Sequence, residues 1–153
     1  MAGVCVLGGG LVGKFVACSL SENGHDVRLV DADYRALEEL PRNIETIHTR
    51  IDVSQGFTDL LAGVKVVVNC LPGRFGHVVR EPLLAIEGMM VADLAFTVEN
   101  PTGLDKLAKK NMALLVYDVG IAPGLSNILI GKAQKENKRD KVRIWVGGNP
   151  QKQ

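Results

Sequence analysis

The sequence predicts an α/β fold, a doubly wound parallel sheet with strand order 3-2-1-4-5-6. Two observations lead to this prediction. Short apolar, β-branched runs alternate with segments of helical periodicity along most of the chain. The strongest of these runs are almost uniformly apolar, as in the strands of a parallel sheet that is covered on both faces. Right-handed crossovers would then place helices on both sides of the sheet.

The predicted elements follow one another in regular order. Strands are expected at residues 4–7, 27–30, 44–47, 66–69, 89–93 and 113–117. Helices are expected at residues 11–23, 34–40, 54–61, 75–87, 102–110 and 125–134. A last strand is expected at residues 142–146, after the charged stretch 135–141. We interpret this strand as the opening of a further domain, the alternative being a seventh strand on the edge of the same sheet.

Composition and charge limit the classes of molecule that the protein is expected to bind. The 153 residues are 46% hydrophobic and 23% charged with a net charge of +1, which argues against disorder and against a general nucleic-acid surface. Three cysteines without CxxC spacing indicate reduced thiols in a cytoplasmic protein. The apolar runs are too short to span a bilayer. We therefore expect a small-molecule partner, with neither nucleic acid nor a membrane.

A glycine motif follows the first predicted strand. Gly8, Gly10 and Gly13 satisfy GxGxxG between a strand and a helix. Gly8 would permit the tight turn, Gly10 would let backbone approach a pyrophosphate, and Gly13 would let helix and strand pack closely. The helix start would supply N–H groups and a positive dipole end. The motif indicates a nucleotide-binding Rossmann domain, while a tight turn without ligand is the alternative.

An acidic residue ends the second predicted strand. Asp31 stands 18 positions after Gly13, near the spacing expected for a carboxylate that binds the ribose 2′-hydroxyl. Such a carboxylate would repel a 2′-phosphate, which favours NAD over NADP as the cofactor. Arg35 weakens this inference, because it could turn towards a phosphate. Capping of the following helix is the alternative role for Asp31.

The loops after the third and fourth strands line the expected crevice. Asp52 and Val53 follow the third strand, although Asp52 could equally cap the next helix. The run Asn69-Cys70-Leu71-Pro72-Gly73 follows the fourth strand.

The segments that follow the strands resemble the saccharopine dehydrogenase family, which includes lysine epsilon-dehydrogenase and carboxynorspermidine synthase. The resemblance rests on GGGLVG, DAD, IDV, VNCLPG, ADLAF, YDVGIAPGLSN and VGGNP, in that order over essentially the whole chain. Its most specific part is the run Asp118-Val119-Gly120-Ile121-Ala122-Pro123-Gly124. The glycine motif alone is shared by many families.

The resemblance implies an NAD(P)-dependent oxidoreductase that acts on a C–N bond of an amino acid such as saccharopine or lysine. Residues 1–121 would be the NAD(P)-binding Rossmann domain, and residues 122–153 would begin a truncated substrate domain. We therefore expect the fragment alone to be inactive, whereas the full-length protein could form a homodimer.

The resemblance also assigns roles by position. The cofactor-binding residues would be Gly8, Gly10, Leu11, Val12 and Gly13 at the phosphates, Asp31 at the ribose, Asp52 and Val53 at the adenine, and Asn69, Leu71 and Pro72 near the nicotinamide. Asp93 and Asp118 are the candidates for substrate contact or proton transfer, with loop capping as the alternative for each. His77 is a conceivable proton carrier, although a solvated helix-start histidine is the simpler interpretation. No metal site is predicted, since His25 and His48 lack partners at ligand spacing.

Two other functions fit part of the sequence. A nucleotide-sensing regulatory domain, like those attached to potassium channels and transporters, would share the glycine turn and the acid. It would have no evident reason to carry the 118–124 run. A short-chain reductase would need a Tyr-x-x-x-Lys pair, and neither Tyr34 nor Tyr117 is followed by lysine at that spacing.

Overall fold

A computed structural model describes residues 3–96, 98–137 and 141–145 of the chain. Six strands form one sheet: β1 (Val4–Leu7), β2 (Val27–Asp31), β3 (Ile44–His48), β4 (Val66–Asn69), β5 (Met90–Asp93) and β6 (Leu114–Tyr117). The strand order is β3-β2-β1-β4-β5-β6, and every neighbouring pair is parallel. The predicted fold class and strand order are therefore confirmed.

The sheet belongs to the first of two compact units, Met1–Tyr117 and Asp118–Gln153. The first unit holds the helices α1 (Leu11–Glu22), α2 (Gly73–Gly76), α3 (Arg80–Leu84) and α4 (Asp105–Lys110). It also holds three short 3₁₀ helices, at Tyr34–Leu37, Thr58–Leu61 and Pro101–Leu104. The second unit holds α5 (Leu125–Asn137). The predicted domain boundary at residues 121/122 stays a prediction.

Alternate residues of each strand pack on opposite faces of the sheet. On one face, Cys5 and Leu7 of β1 join a core cluster with Leu83 and Leu84 of α3. On the other face, Val6 joins a second cluster together with residues of α1 and β2. Helices thus cover both faces, which explains why β1 is fully apolar and buried along its length.

Three predicted helices are shorter than expected, for local reasons. The predicted helix 34–40 is a single 3₁₀ turn, because Glu39 adopts the left-handed conformation at φ 55° ahead of Pro41. The predicted helix 54–61 is interrupted by Gly56 at φ 80°. The predicted helix 75–87 is split into α2 and α3, because Pro82 lacks the N–H that an unbroken helix would need and fits only in a first turn.

The strand predicted at residues 142–146 is wrong over its described part. Residues 142–145 have no regular secondary structure, and Val146 lies outside the described residues. A strand needs a hydrogen-bonded neighbour, and no strand among the described residues pairs with residues 142–145.

Candidate nucleotide-binding site

A cavity of about 990 Å³ lies where the carboxyl ends of β1 to β4 meet. This volume is at the upper end of the range of roughly 300–1,000 Å³ for small-molecule sites. Its lining comes from the turn after β1, the end of β2, the loop 49–54 after β3 and the segment 70–79 after β4. The position is the crevice where a doubly wound sheet reverses its strand order, as predicted for a nucleotide.

The glycine turn has the geometry expected of its three glycines. Gly8 adopts φ 95°, a conformation that side chains rarely tolerate. A Cβ on Gly13 would lie 1.8 Å from the carbonyl oxygen of Gly8, so no other residue fits there without movement. A Cβ on Gly10 would meet no atom within 4 Å, and Gly10 lines the cavity. The turn is therefore closed towards the helix and open towards the cavity.

Helix α1 begins directly after this turn, with Gly10 as its N-cap. The first N–H groups of a helix have no partner within the helix. Leu11 and Val12 provide such groups, while their side chains are 96% and 55% exposed. These two residues can offer an anion their backbone and the positive end of the helix dipole.

Asp31 is tied to the glycine turn. One carboxylate oxygen, Oδ2, accepts a hydrogen bond from the N–H of Gly9 at 2.5 Å, and Oδ1 accepts one from the N–H of Asp33 at 2.7 Å. Asp31 also lines the cavity. A carboxylate has about four acceptor positions, so two remain for a ligand hydroxyl. Asp31 thus connects the end of β2 to the glycine turn.

The helix-capping role considered for Asp31 belongs to Asp33. The side chain of Asp33 accepts a hydrogen bond from the N–H of Arg35 and caps the 3₁₀ helix at Tyr34–Leu37. Arg35 pairs with the same carboxylate at 3.2 Å, and its hydrogen bonds hold the pKa of Asp33 below the usual value. In this structure the Arg35 guanidinium is engaged by Asp33.

The loop after β3 brings Asp52 and Val53 to the cavity, and their contact with the adenine stays a prediction. Oδ1 of Asp52 accepts hydrogen bonds from the N–H and the hydroxyl of Ser54, at 2.9 and 2.6 Å. These bonds hold the pKa of Asp52 below its usual value. Asp52 is therefore both a turn former and a cavity residue. Arg50 also lines the cavity and was missed, although its position just after a strand was the available signal.

Of the residues predicted to bind cofactor after β4, two line the cavity and one lies in the protein interior. Leu71 and Pro72 line the cavity, together with Cys70 and Phe75. Asn69 is fully buried and does not line it. Burial raises the pKa of the Cys70 thiol to about 11, so this cavity-lining thiol is neutral at physiological pH.

Asp93 is also fully buried behind the cavity wall. Its Oδ2 accepts a hydrogen bond from Nε of Arg80 at 2.5 Å. Its Oδ1 accepts from Asn69 Nδ2 and from the N–H of Ala95, both at 2.9 Å. The structure gives Asn69 and Asp93 internal partners, so their predicted contacts with nicotinamide and substrate stay predictions. Arg80 was missed, although a lone arginine in an apolar helical stretch was a visible signal.

Asp118 lies in the second unit and adopts the left-handed conformation at φ 58°. The run that follows folds back on itself, with a bridge between Gly120 and Gly124. A Cβ on Gly124 would lie 2.0 Å from the Gly120 carbonyl oxygen. This geometry accords with the turn-forming alternative, and the catalytic role of Asp118 stays a prediction.

His77, the conceivable proton carrier, is partly buried near the start of the segment between α2 and α3. Its Nδ1 lies 3.2 Å from the Gly73 carbonyl oxygen, and its Nε2 lies 3.8 Å from a carboxylate oxygen of Glu99. It does not line the cavity.

Among the described residues, no group of three or more His, Cys, Asp or Glu side chains is arranged to hold a metal ion. In the same part of the chain, no helix has the length and apolar character needed to cross a membrane.

No protein-family model matches the sequence, and no curated protein sequence matches it either. Solved structures do resemble the fold. A reductive aminase from Aspergillus terreus in complex with NADPH and ethyl levulinate matches with a TM-score of 0.54 and 17% identity, over 76% of this chain and 40% of its own. A 3-hydroxyisobutyrate dehydrogenase from Mycobacterium tuberculosis matches with a TM-score of 0.56 and 18% identity, over 76% and 40%.

A D-isomer specific 2-hydroxyacid dehydrogenase from Xanthobacter autotrophicus in complex with NADPH matches with a TM-score of 0.54 and 23% identity, over 74% of this chain and 36% of its own. The chain thus spans well under half the length of these proteins. At these identities the likeness establishes the fold, a Rossmann domain.

Proposed function

We propose that this chain is the dinucleotide-binding part of an NAD(P)-dependent oxidoreductase. The observation that carries the proposal is the glycine turn, which is closed against α1 at Gly13, open to the cavity at Gly10, and linked through Gly9 to the carboxylate of Asp31. An ordinary strand-to-helix turn needs neither the open approach nor the acid. Both are needed to hold a pyrophosphate beside a ribose.

The described residues fit the two halves of a dinucleotide. The N–H groups at the start of α1 suit the pyrophosphate. The residues on the β2 and β3 side, from Asp31 to Val53, suit the adenosine, and Leu71 and Pro72 on the β4 side suit the nicotinamide. A nicotinamide held there supplies hydride transfer, and the protein's share is to bind and orient it and to exclude water.

We propose NAD rather than NADP as the cofactor. The carboxylate of Asp31 lines the cavity and would repel a 2′-phosphate, and Asp33 and Asp52 add negative charge nearby. Arg50 is the cation in the cavity lining that would favour NADP. Two of the solved structures above carry NADPH, which is a property of those proteins. The balance of charge beside the ribose position favours NAD.

The finer assignment rests on the resemblance to the saccharopine dehydrogenase family. The resemblance implies that the substrate is an amino acid with a reacting C–N bond. It also implies that residues 122–153 begin a substrate domain. It also predicts that this chain alone turns over little or no substrate. The three free thiols suit the reducing environment of the cytoplasm.

Titration of the chain with NADH and NADPH, followed by nucleotide fluorescence, tests the proposal. We expect saturable binding of both, with NADH tighter by about tenfold, the size of one charge-assisted contact. Asp31→Asn should lower this preference. Glu22→Gln is the matched control, because it removes an equal charge from an exposed side chain at the opposite end of α1, which does not line the cavity. Absence of binding for both dinucleotides would contradict the proposed function.

A further inference from the structure

We infer that Asn69, Asp93 and Arg80 form a buried positioning network that fixes the cavity wall on the nicotinamide side. The inference rests on the proposed function and deepens it. None of the three side chains lines the cavity, so their effect on a ligand would pass through the residues that do. They are positioning residues rather than catalytic ones.

The three side chains are connected from neighbouring strands to a helix. Asn69 and Asp93 are register partners at the ends of β4 and β5, which places their side chains on the same face of the sheet. Nδ2 of Asn69 donates to Oδ1 of Asp93, and Nε of Arg80 donates to Oδ2 of Asp93. Asn69 and Asp93 are 0% exposed and Arg80 is 4% exposed. The carboxylate thus joins the amide to the guanidinium in the interior.

The network also holds the backbone of the loops around it. Asn69 Nδ2 donates to the Gly76 carbonyl oxygen at 2.9 Å. Arg80 donates to the carbonyl oxygens of Ala95 and Glu99, at 3.2 and 3.4 Å. A Cβ on Gly76 would lie 2.2 Å from the Cβ of Ala95, so α2 is seated directly on the loop after β5. The segments after β4 and β5 are fastened to each other.

Two members of the network, and the Gly76 backbone that Asn69 holds, are chain neighbours of residues that line the cavity. A shift of the network must therefore move the wall. The neighbouring pairs are Asn69 with Cys70, Gly76 with Phe75, and Arg80 with Val79.

The wall in question faces one half of a dinucleotide. The turn after β1 is central, with β2 and β3 on one side and β4 and β5 on the other. Asp31 marks the adenosine side, so the wall built from Cys70 to Val79 faces the other half. Damage to the network should weaken ligands that carry the nicotinamide more than ligands that lack it.

Stability alone is a weak reason for burying an ion pair such as Arg80–Asp93. Desolvation of two charges offsets most of their attraction, and paired apolar residues often serve stability equally well. The polar groups add directional hydrogen bonds. The guanidinium fork and the amide fix the positions of several acceptors at once.

The test compares NADH with ADP, which shares the adenosine diphosphate but lacks the nicotinamide. The variant is Arg80→Met together with Asp93→Asn, which removes both buried charges and leaves neither unpaired. Arg80→Lys is the milder variant, since it keeps the charge but not the fork. The matched control is Arg28→Met with Glu45→Gln, which removes a 3.0 Å ion pair from β2 and β3 without touching the cavity lining. Thermal melting followed by circular dichroism establishes that each variant is folded.

We expect the double variant to bind NADH about tenfold more weakly, which corresponds to about 1.4 kcal/mol, while ADP affinity changes less than about twofold. Arg80→Lys should show a smaller loss of the same kind, and the control should bind both ligands like the wild type. Equal loss of NADH and ADP affinity, or unchanged NADH affinity in the folded double variant, would overturn the inference. Failure of the wild type to bind NADH would instead overturn the proposed function, and the inference with it.

Discussion

Two alanine substitutions in the glycine turn separate its structural part from its ligand-binding part. Gly13→Ala places a methyl group 1.8 Å from the Gly8 carbonyl oxygen and 3.2 Å from Cys70 Cβ. Gly10→Ala places one in open space, at a backbone conformation of φ −62° and ψ −174° that alanine adopts without strain. The same chemical change therefore meets packed backbone at one site and the cavity at the other.

The expected magnitudes follow from these contacts. In Gly13→Ala the start of α1 and the β1 turn must separate by more than an ångström, and overpacking of this kind costs about 1–3 kcal/mol. Alanine returns roughly 0.5–1 kcal/mol as the better helix former. We expect a net loss of about 1–2 kcal/mol in the free energy of unfolding, which lowers Tm by about 2–8 °C in a chain of this size. Gly10→Ala should change stability by less than about 1 kcal/mol, since only an N-cap preference is affected.

We expect Gly10→Ala to affect NADH binding more than stability, whereas Gly13→Ala should affect stability first. The methyl group of Gly10→Ala occupies the approach of the pyrophosphate, so we expect at least about a tenfold loss of NADH affinity in a protein whose stability lies within about 1 kcal/mol of the wild type. Circular dichroism melting and NADH fluorescence titration measure the two effects. A Gly13→Ala variant that melts with the wild type would refute the close approach of α1. A Gly10→Ala variant with full NADH affinity would refute the placement of the phosphates.

Three further predictions concern residues around the cavity. Asp31→Ala removes the acceptor of two backbone N–H groups. We expect the free energy of unfolding, measured by urea denaturation without nucleotide, to fall by about 1–3 kcal/mol. No loss would mean that Asp31 does not support the turn. Arg80→Met alone leaves the buried Asp93 carboxylate without its ion-pair partner. We expect the free energy of unfolding to fall by about 3–5 kcal/mol, more than in the double variant. A double variant less stable than Arg80→Met would contradict this. Because the pKa of Cys70 is raised from 9.0 to about 11, the unfolded thiol ionises first, and its contribution to stability should be lost as pH rises between these values. The free energy of unfolding of Cys70→Ala, measured over that range, should fall less steeply than that of the wild type.

The sheet could be predicted from the sequence because its signals are local. Uniformly apolar runs such as Val4–Leu7 indicate strands that are covered on both faces, and right-handed crossovers leave few ways to order them. Helix lengths were less predictable. The apolar pattern continues through residues 75–87, whereas a single missing N–H at Pro82 divides that helix.

The glycine turn could be predicted for the same local reason. Gly8, Gly10 and Gly13 lie within six residues, and each has a steric task that the motif itself specifies. The second contact of Asp31, to the N–H of Gly9, could not be predicted. It depends on how the ends of β1 and β2 are aligned in space, which spacing along the chain does not determine.

Asn69 and Asp93 show where such reasoning reaches its limit. Polar residues at the carboxyl ends of parallel strands indicate a ligand site, and this is why both were expected to contact cofactor or substrate. The same register, however, brings their side chains together, and Arg80 then reaches the carboxylate from a helix. Hydrogen-bonding capacity decides between the two outcomes. Both oxygens of the buried Asp93 carboxylate already accept from protein donors, so its effect on a ligand would have to act through the wall that it holds.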